Sequence, residues 1–190
     1  MALQVRRVVT THDATGKHII SSDEVLSGQD RHAGAKMHQQ LTGVEIWSTD
    51  RMPVDNSPEA EAAQRAGFVY GERNLQFGAN NYVRTGGGTL LRIDEWEPGV
   101  PPFRHRTETV DYVVMLSGEM DIELDGDEVV HLKAGDTFVQ RGGIHTWVNR
   151  GTVPAVMVVV EVDATPVEAG GKVLHTQYPV LTPDEPTASP

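Results

Sequence analysis

His105, Asp111 and His145 are the side chains whose types suit chemistry at one centre. In "FRHRTETVDYVVMLSGEM", residues 103–120, a histidine stands near the start, a carboxylate follows six positions later, and a valine-rich stretch runs into Ser-Gly. Imidazoles with a carboxylate can hold a divalent cation while leaving coordination positions open. They can equally exchange a proton with a small molecule without any ion.

On one straight strand His105 and Asp111 could not meet, since six residues at about 3.3 Å each would separate them by ~20 Å. Shared ligation at about 2 Å requires the chain to reverse between Thr107 and Val110. The intervening "TETV" has neither glycine nor proline and is no obvious turn by itself. The elements around it are strands. "VRRVVT" and "KHIISS" flank a turn at "THDATG", so residues 5–22 read as a hairpin. "GVEIWSTD" (43–50) is a further short strand. Only residues 57–67 read as helix: Ser57 can cap, Pro58 stands first, acids follow and Gly67 stops it.

From Thr85 the strands tighten. "GTLLRIDEW", "VDYVVML", "EMDIELDG", "EVVHL", "TFVQ", "HTWVN" and "AVMVVVEV" succeed one another between turn signals. Met120, Ile122 and Leu124 alternate with Asp121, Glu123 and Asp125, which gives that strand one wet face. Short strands so spaced predict an all-β sandwich or barrel. The segment from Thr165, with five prolines and little periodicity, is expected to pack loosely.

Two spacings in this region resemble the motifs of the cupin superfamily, a jelly-roll β-barrel. The first, G-x5-H-x-H-x(3,4)-E-x6-G, falls on Gly99, His105, Thr107, Asp111 and Gly118. The second, G-x5-P-x-G-x2-H-x3-N, falls on Gly135, Gly142, His145 and Asn149; it is one residue short, and Gln140 replaces proline. The resemblance covers roughly residues 85–163. It implies an antiparallel barrel, and it supplies the reversal between Thr107 and Val110 that local chemistry does not. It also implies a metal set of three histidines and a glutamate. Mapped here, His105 and His145 remain, Asp111 is one methylene shorter than glutamate, and Thr107 takes the place of an imidazole. Two readings stay open. His105, Asp111 and His145 hold one divalent ion (iron, manganese, nickel or zinc), or with Thr107 they form a metal-free hydrogen-bonded cluster. Glu108 is an alternative to Asp111. No organic cofactor is expected.

Neighbouring residues have plainer readings. Arg106 should point outward beside His105. Tyr112 and Trp147 suit wall or core packing, Gln140 the barrel mouth, Arg141 either bidentate recognition of a carboxylate or a solvated loop position, and Gly142-Gly143 a tight turn. His131 reads as a surface residue; His12, His18, His32, His38 and His175 lie scattered in terminal segments. Gly86-Gly87-Gly88 lacks the context of a phosphate loop.

A chain of 190 residues with a net charge of −11 and no basic stripe argues against nucleic-acid binding. The absence of cysteine excludes disulfides and thiolate zinc sites. No apolar run reaches the ~20 residues of a membrane helix, and the start lacks a signal-peptide core, so no membrane partner and a cytoplasmic location are expected. The organisation expected is N-terminal strands and a short helix over 1–84, a barrel over 85–165 and a tail over 166–190. The function expected is a small-molecule enzyme of lyase, isomerase or oxygenase type acting on a small polar or carbonyl metabolite. Its site would comprise His105, Asp111, His145 and Thr107. The alternative is a non-catalytic binding protein. A homodimer is expected because the N-terminal strands exceed what one small barrel needs.

Overall fold

The computed structural model describes residues 3–30, 41–66 and 87–177. His32, His38, Gly67 and Gly86 lie outside them. The chain opens with a hairpin, β1 (Gln4–His12) and β2 (His18–Ser27), in which His12 pairs with His18 and Gln4 with Ser27. Asp13 makes its turn: one carboxylate oxygen accepts from the Thr15 amide and hydroxyl and from the Lys17 amide.

A short β3 (Gln29–Asp30) precedes β4 (Leu41–Thr49), and α1 (Pro58–Ala66) begins where Ser57 Oγ accepts from the Ala60 amide at 3.3 Å. Arg7 ties the hairpin to this helix. Its guanidinium donates to the carbonyls of Ile46 and Arg65 and pairs with Glu24.

The barrel is two antiparallel sheets. The strands β5 (Thr89–Trp96), β6 (Phe103–His105), β7 (Thr109–Ser117), β8 (Glu119–Glu123), β9 (Val129–Lys133), β10 (Thr137–Arg141), β11 (His145–Val148) and β12 (Ala155–Asp163) follow in order. One sheet runs β10-β7-β12-β5-β4-β3, the other β6-β11-β8-β9. β4, read from sequence as a short strand of the N-terminal segment, is hydrogen-bonded along β5 and extends the barrel sheet. On β7 the alternation is strict: Thr109, Asp111, Val113 and Met115 are buried, while Tyr112, Val114 and Leu116 face out. The same two-residue period buries Ala155, Met157, Val159 and Glu161 on β12. Apolar side chains from both sheets, including Trp96, Met115, Met120, Ile122, Trp147 and Met157, form one core.

The reversal after His105 is a change of sheet. β6 belongs to one sheet and β7 to the other, so residues 106–108 cross between them without a tight turn and need no glycine. The crossing is pinned from outside. Arg106 exchanges two backbone hydrogen bonds with Gln177, at 2.8 and 2.9 Å, and the Glu108 carbonyl accepts from the Ala164 amide at 2.9 Å. Part of the segment expected to pack loosely is therefore ordered. β13 (Val167–Ala169) and β14 (Lys172–Leu174) make a short hairpin around Gly170 and Gly171, both at positive φ. Gly118, which ends the first motif, stands at φ 71°, and a Cβ there would lie 2.5 Å from the Pro154 carbonyl oxygen. The close approach of β7 to β12 thus requires glycine at that position.

Candidate functional site

Antiparallel pairing of β6 with β11 puts His105 directly opposite His145. The ring centroids are 4.4 Å apart and the planes tilted by 52°. His105 Nδ1 lies 3.1 Å from its own strand's Phe103 carbonyl. His145 is almost wholly buried, and its Nδ1 meets the Gln140 side-chain nitrogen at 2.9 Å and the Gly143 carbonyl at 3.1 Å. Burial holds the His145 imidazole down to about 4 against the pull of the Gly143 carbonyl, with the charge of Arg104 acting in the same direction as burial, so the ring is neutral at pH 7. Trp147 closes on it edge-on at 5.7 Å.

Asp111 is buried on β7, between Gln140 of β10 and Glu161 of β12 in register. Its hydrogen-bond partner is Thr109, whose hydroxyl is 2.7 Å from that of Thr107. The two threonines thus connect Asp111 to the position where the motif calls for an imidazole. Burial first, and the charge of Glu161 second, push the Asp111 carboxyl up to about 7 against the pull of Thr109 and Arg92. Asp111 Oδ1 is buried without a hydrogen-bond partner, and so is Glu161 Oε2.

Sequence reasoning missed the other half of this arrangement. Arg92 on β5 donates Nε to Asp94 Oδ2 at 2.7 Å and one terminal nitrogen to Glu161 Oε1. Both carboxylates are buried. With Asp111 they bring three acidic side chains around one guanidinium inside the barrel. A signal was present. Arg92 and Asp94 share the phase of Leu90 and Trp96 in "TLLRIDEW", and Glu161 shares the phase of Met157 and Val159 in "AVMVVVEV". Charged residues on the apolar face of a strand must be paired inside.

Of the predicted residues, then, His105 and His145 meet, Thr107 reaches Asp111 through Thr109, and Asp111 belongs with Glu161 and Arg92. Among the described residues no three His, Asp or Glu side chains are grouped so as to hold a metal ion. Two imidazoles alone leave a divalent ion short of the three protein ligands such a centre uses. The predicted set does not fit the ion as placed. Glu108 does not substitute: its carboxylate accepts from the Thr176 amide and contacts His175, both at 3.0 Å, on the far side of the crossing. Tyr112 is neither wall nor core but lies half exposed on the outer face. Trp147 is core, Gln140 is buried beside His145, and His131 is exposed, bonded to Asp121 at 2.7 Å.

A family model described as "Cupin domain" matches residues 89–161, the span that carries both histidines and the charged network. Phomopsin biosynthesis cluster protein C' of Diaporthe leptostromiformis is 34% identical over 176 residues, covering 88% of this chain and 83% of that protein. The chain belongs to the cupin superfamily. Another relative, the cupin-domain-containing oxidoreductase fogC of Aspergillus ruber, is 27% identical over 95% of this chain and 83% of its own length. Among solved structures, the Cnp3 cupin domain of Schizosaccharomyces pombe superposes with a TM-score of 0.47 at 10% identity, covering 84% of this cupin and 88% of that chain. Among the described residues no helix is long and apolar enough to cross a membrane.

Proposed function

We propose that this cupin is a small-molecule enzyme that moves a proton on a small carbonyl metabolite, as in an isomerisation or elimination. The observation that carries the reading is the facing pair His105 and His145, one half-buried and one buried, on register-paired strands. A neutral imidazole in a dry wall can polarise a carbonyl, and a second imidazole beside it can accept the proton that becomes acidic. Asp111, reached through Thr109 and Thr107, can hold or return a proton near neutral pH. The two imidazoles act through their own nitrogens, since the donor set lacks a third metal ligand. The kinship with proteins of biosynthesis clusters and with cupin-domain-containing oxidoreductases supports an enzymatic role and leaves the reaction type to the site.

Proton exchange tests this before the product is known. In deuterated buffer, small ketones, aldehydes and keto acids are screened by NMR for deuterium uptake at the carbon next to the carbonyl. The expected result is catalysed exchange with at least one class, falling by a factor of 10² or more in His105→Ala and in Asp111→Asn. General acid–base groups contribute about 10²–10⁴-fold. Binding of such compounds without exchange would overturn the enzymatic reading in favour of a ligand-binding cupin.

The partner we propose for the outer face of the barrel is a second copy of the chain. Tyr112, Val114, Leu116 and Val139 are exposed there on neighbouring strands, with Tyr112 opposite Val139. Light scattering is expected to give twice the chain mass, and Tyr112→Glu to shift the equilibrium toward monomer. A wild-type monomer at micromolar concentration refutes it.

A further inference from the structure

We infer that Gln140 sets the tautomer of His145, making it a hydrogen-bond donor through Nε2–H, while His105 beside it presents an unprotonated Nε2. Gln140 Nε2 lies 2.6 Å from the Gly143 carbonyl oxygen. An amide oxygen there would set acceptor against acceptor, so the NH2 group occupies that position. The same nitrogen is 2.9 Å from His145 Nδ1. An Nδ1–H aimed at Gly143 would leave two N–H groups at that separation with no acceptor between them. With the proton on Nε2, Nδ1 becomes the acceptor for the second amide hydrogen and the Gly143 oxygen keeps the first; the 3.1 Å approach of Nδ1 to that oxygen is then an acceptor–acceptor contact, longer than the 2.9 Å donor–donor contact it replaces.

His105 has the opposite arrangement. Its Nδ1 faces the Phe103 carbonyl at 3.1 Å, and a carbonyl can only accept, so Nδ1 carries the proton and Nε2 is the basic nitrogen. Two imidazoles from matched strand positions are thereby made unlike: one donates and the other accepts. A ligand contacting both rings at Nε2 would offer an acceptor oxygen to His145 and a transferable proton to His105. An enolisable carbonyl compound has both. In that case the proton goes to His105 Nε2, the C–H electron pair forms the new C=C bond, and the carbonyl π pair moves onto the oxygen held by His145 Nε2–H. The choice of ligand rests on the function proposed above; the tautomers do not.

The assignment also explains why glutamine stands where the motif has proline. Proline supplies no side-chain donor, and without a donor at Nδ1 the His145 ring is free to donate to Gly143 and turn a lone pair outward at Nε2. Gln140 is thus a positioning residue, acting through His145.

Long-range ¹H–¹⁵N correlation spectra of the full chain, labelled at histidine nitrogen, read the tautomers directly. At pH 7 the His145 pattern should show protonated Nε2 and unprotonated Nδ1, and the His105 pattern the reverse. Gln140→Met removes the donor with little change in volume and should switch His145 to Nδ1–H, bonded to Gly143. Gln140→Asn, whose amide is too short to reach, should do the same. A wild-type spectrum with His145 Nδ1 protonated overturns the inference even if neither variant folds. So does an unchanged tautomer in a folded Gln140→Met. Correct tautomers without deuterium exchange in any carbonyl compound would refute the proposed function and leave this assignment standing.

Discussion

Replacing Asp111 with asparagine is expected to make stability climb more steeply with pH between about 4 and 6.5 than it does in the native protein, where the contributions of Asp111 and His145 oppose each other. The reason is a cancellation. The Asp111 carboxyl is pushed from 3.8 up to about 7 by folding, so over this window the folded chain holds a proton that the unfolded chain has released. Stability from this group falls as pH rises. His145 is pushed from 6.5 down to about 4, so the unfolded chain carries a proton there that the folded chain refuses. Stability from this group is lost as pH falls. Each slope has a limiting value of about 1.4 kcal/mol per pH unit, and they oppose. Asp111→Asn leaves the histidine slope alone: its stability relative to native should rise by about 2 kcal/mol between pH 4.5 and 6.5. His145→Gln leaves the carboxyl slope alone and should fall by a similar amount over the same range. Urea unfolding at half-unit pH steps measures both. Profiles of either variant that run parallel to the native one would mean that the group is solvated in the folded protein.

That opposition shows which parts of the site were legible in the sequence. The order of strands and the two motif spacings were enough to bring His105 and His145 together, because both stand at strand positions that antiparallel pairing makes opposite. Asp111 was harder. Its place in the motif associated it with the imidazoles, but its environment comes from register: Gln140 on one side and Glu161 on the other. Register between strands far apart in the chain cannot be counted from spacing. Arg92, Asp94 and Glu161 lie outside the polar positions of both motifs, and only their phase among apolar residues marked them as interior. The β13–β14 hairpin escaped for a simpler reason: strands of three residues each are too short to show alternation. The crossing at 106–108 was invisible as a turn because it is held by backbone contacts to residues 164 and 177 rather than by its own residues.

Arg92→Met is expected to destabilise the protein by about 3–5 kcal/mol, the cost of removing one partner from a buried ionic group. Asp94 and Glu161 are buried, and the guanidinium bonds both. Without it their charges face each other, and Asp111, across a dry interior, where repulsion is weakly screened. Glu161→Gln should behave differently. An amide at that position still offers Arg92 an acceptor oxygen, and its NH2 supplies a donor beside Asp111, whose Oδ1 has none. The single change should therefore cost less than about 1 kcal/mol. The double variant should recover part of the Arg92→Met loss, giving a coupling energy above about 1 kcal/mol for residues in one network. Denaturant unfolding of the four proteins closes the cycle. Additive losses, or an Arg92→Met variant within about 1 kcal/mol of native stability, would show that solvent compensates these carboxylates and that the barrel wall at Asp111 is wet. In a wet wall the Asp111 carboxyl would titrate in the ordinary range, ionised at neutral pH with no proton to return. The network around Arg92 thus determines whether Asp111 can take part in the chemistry at the two histidines.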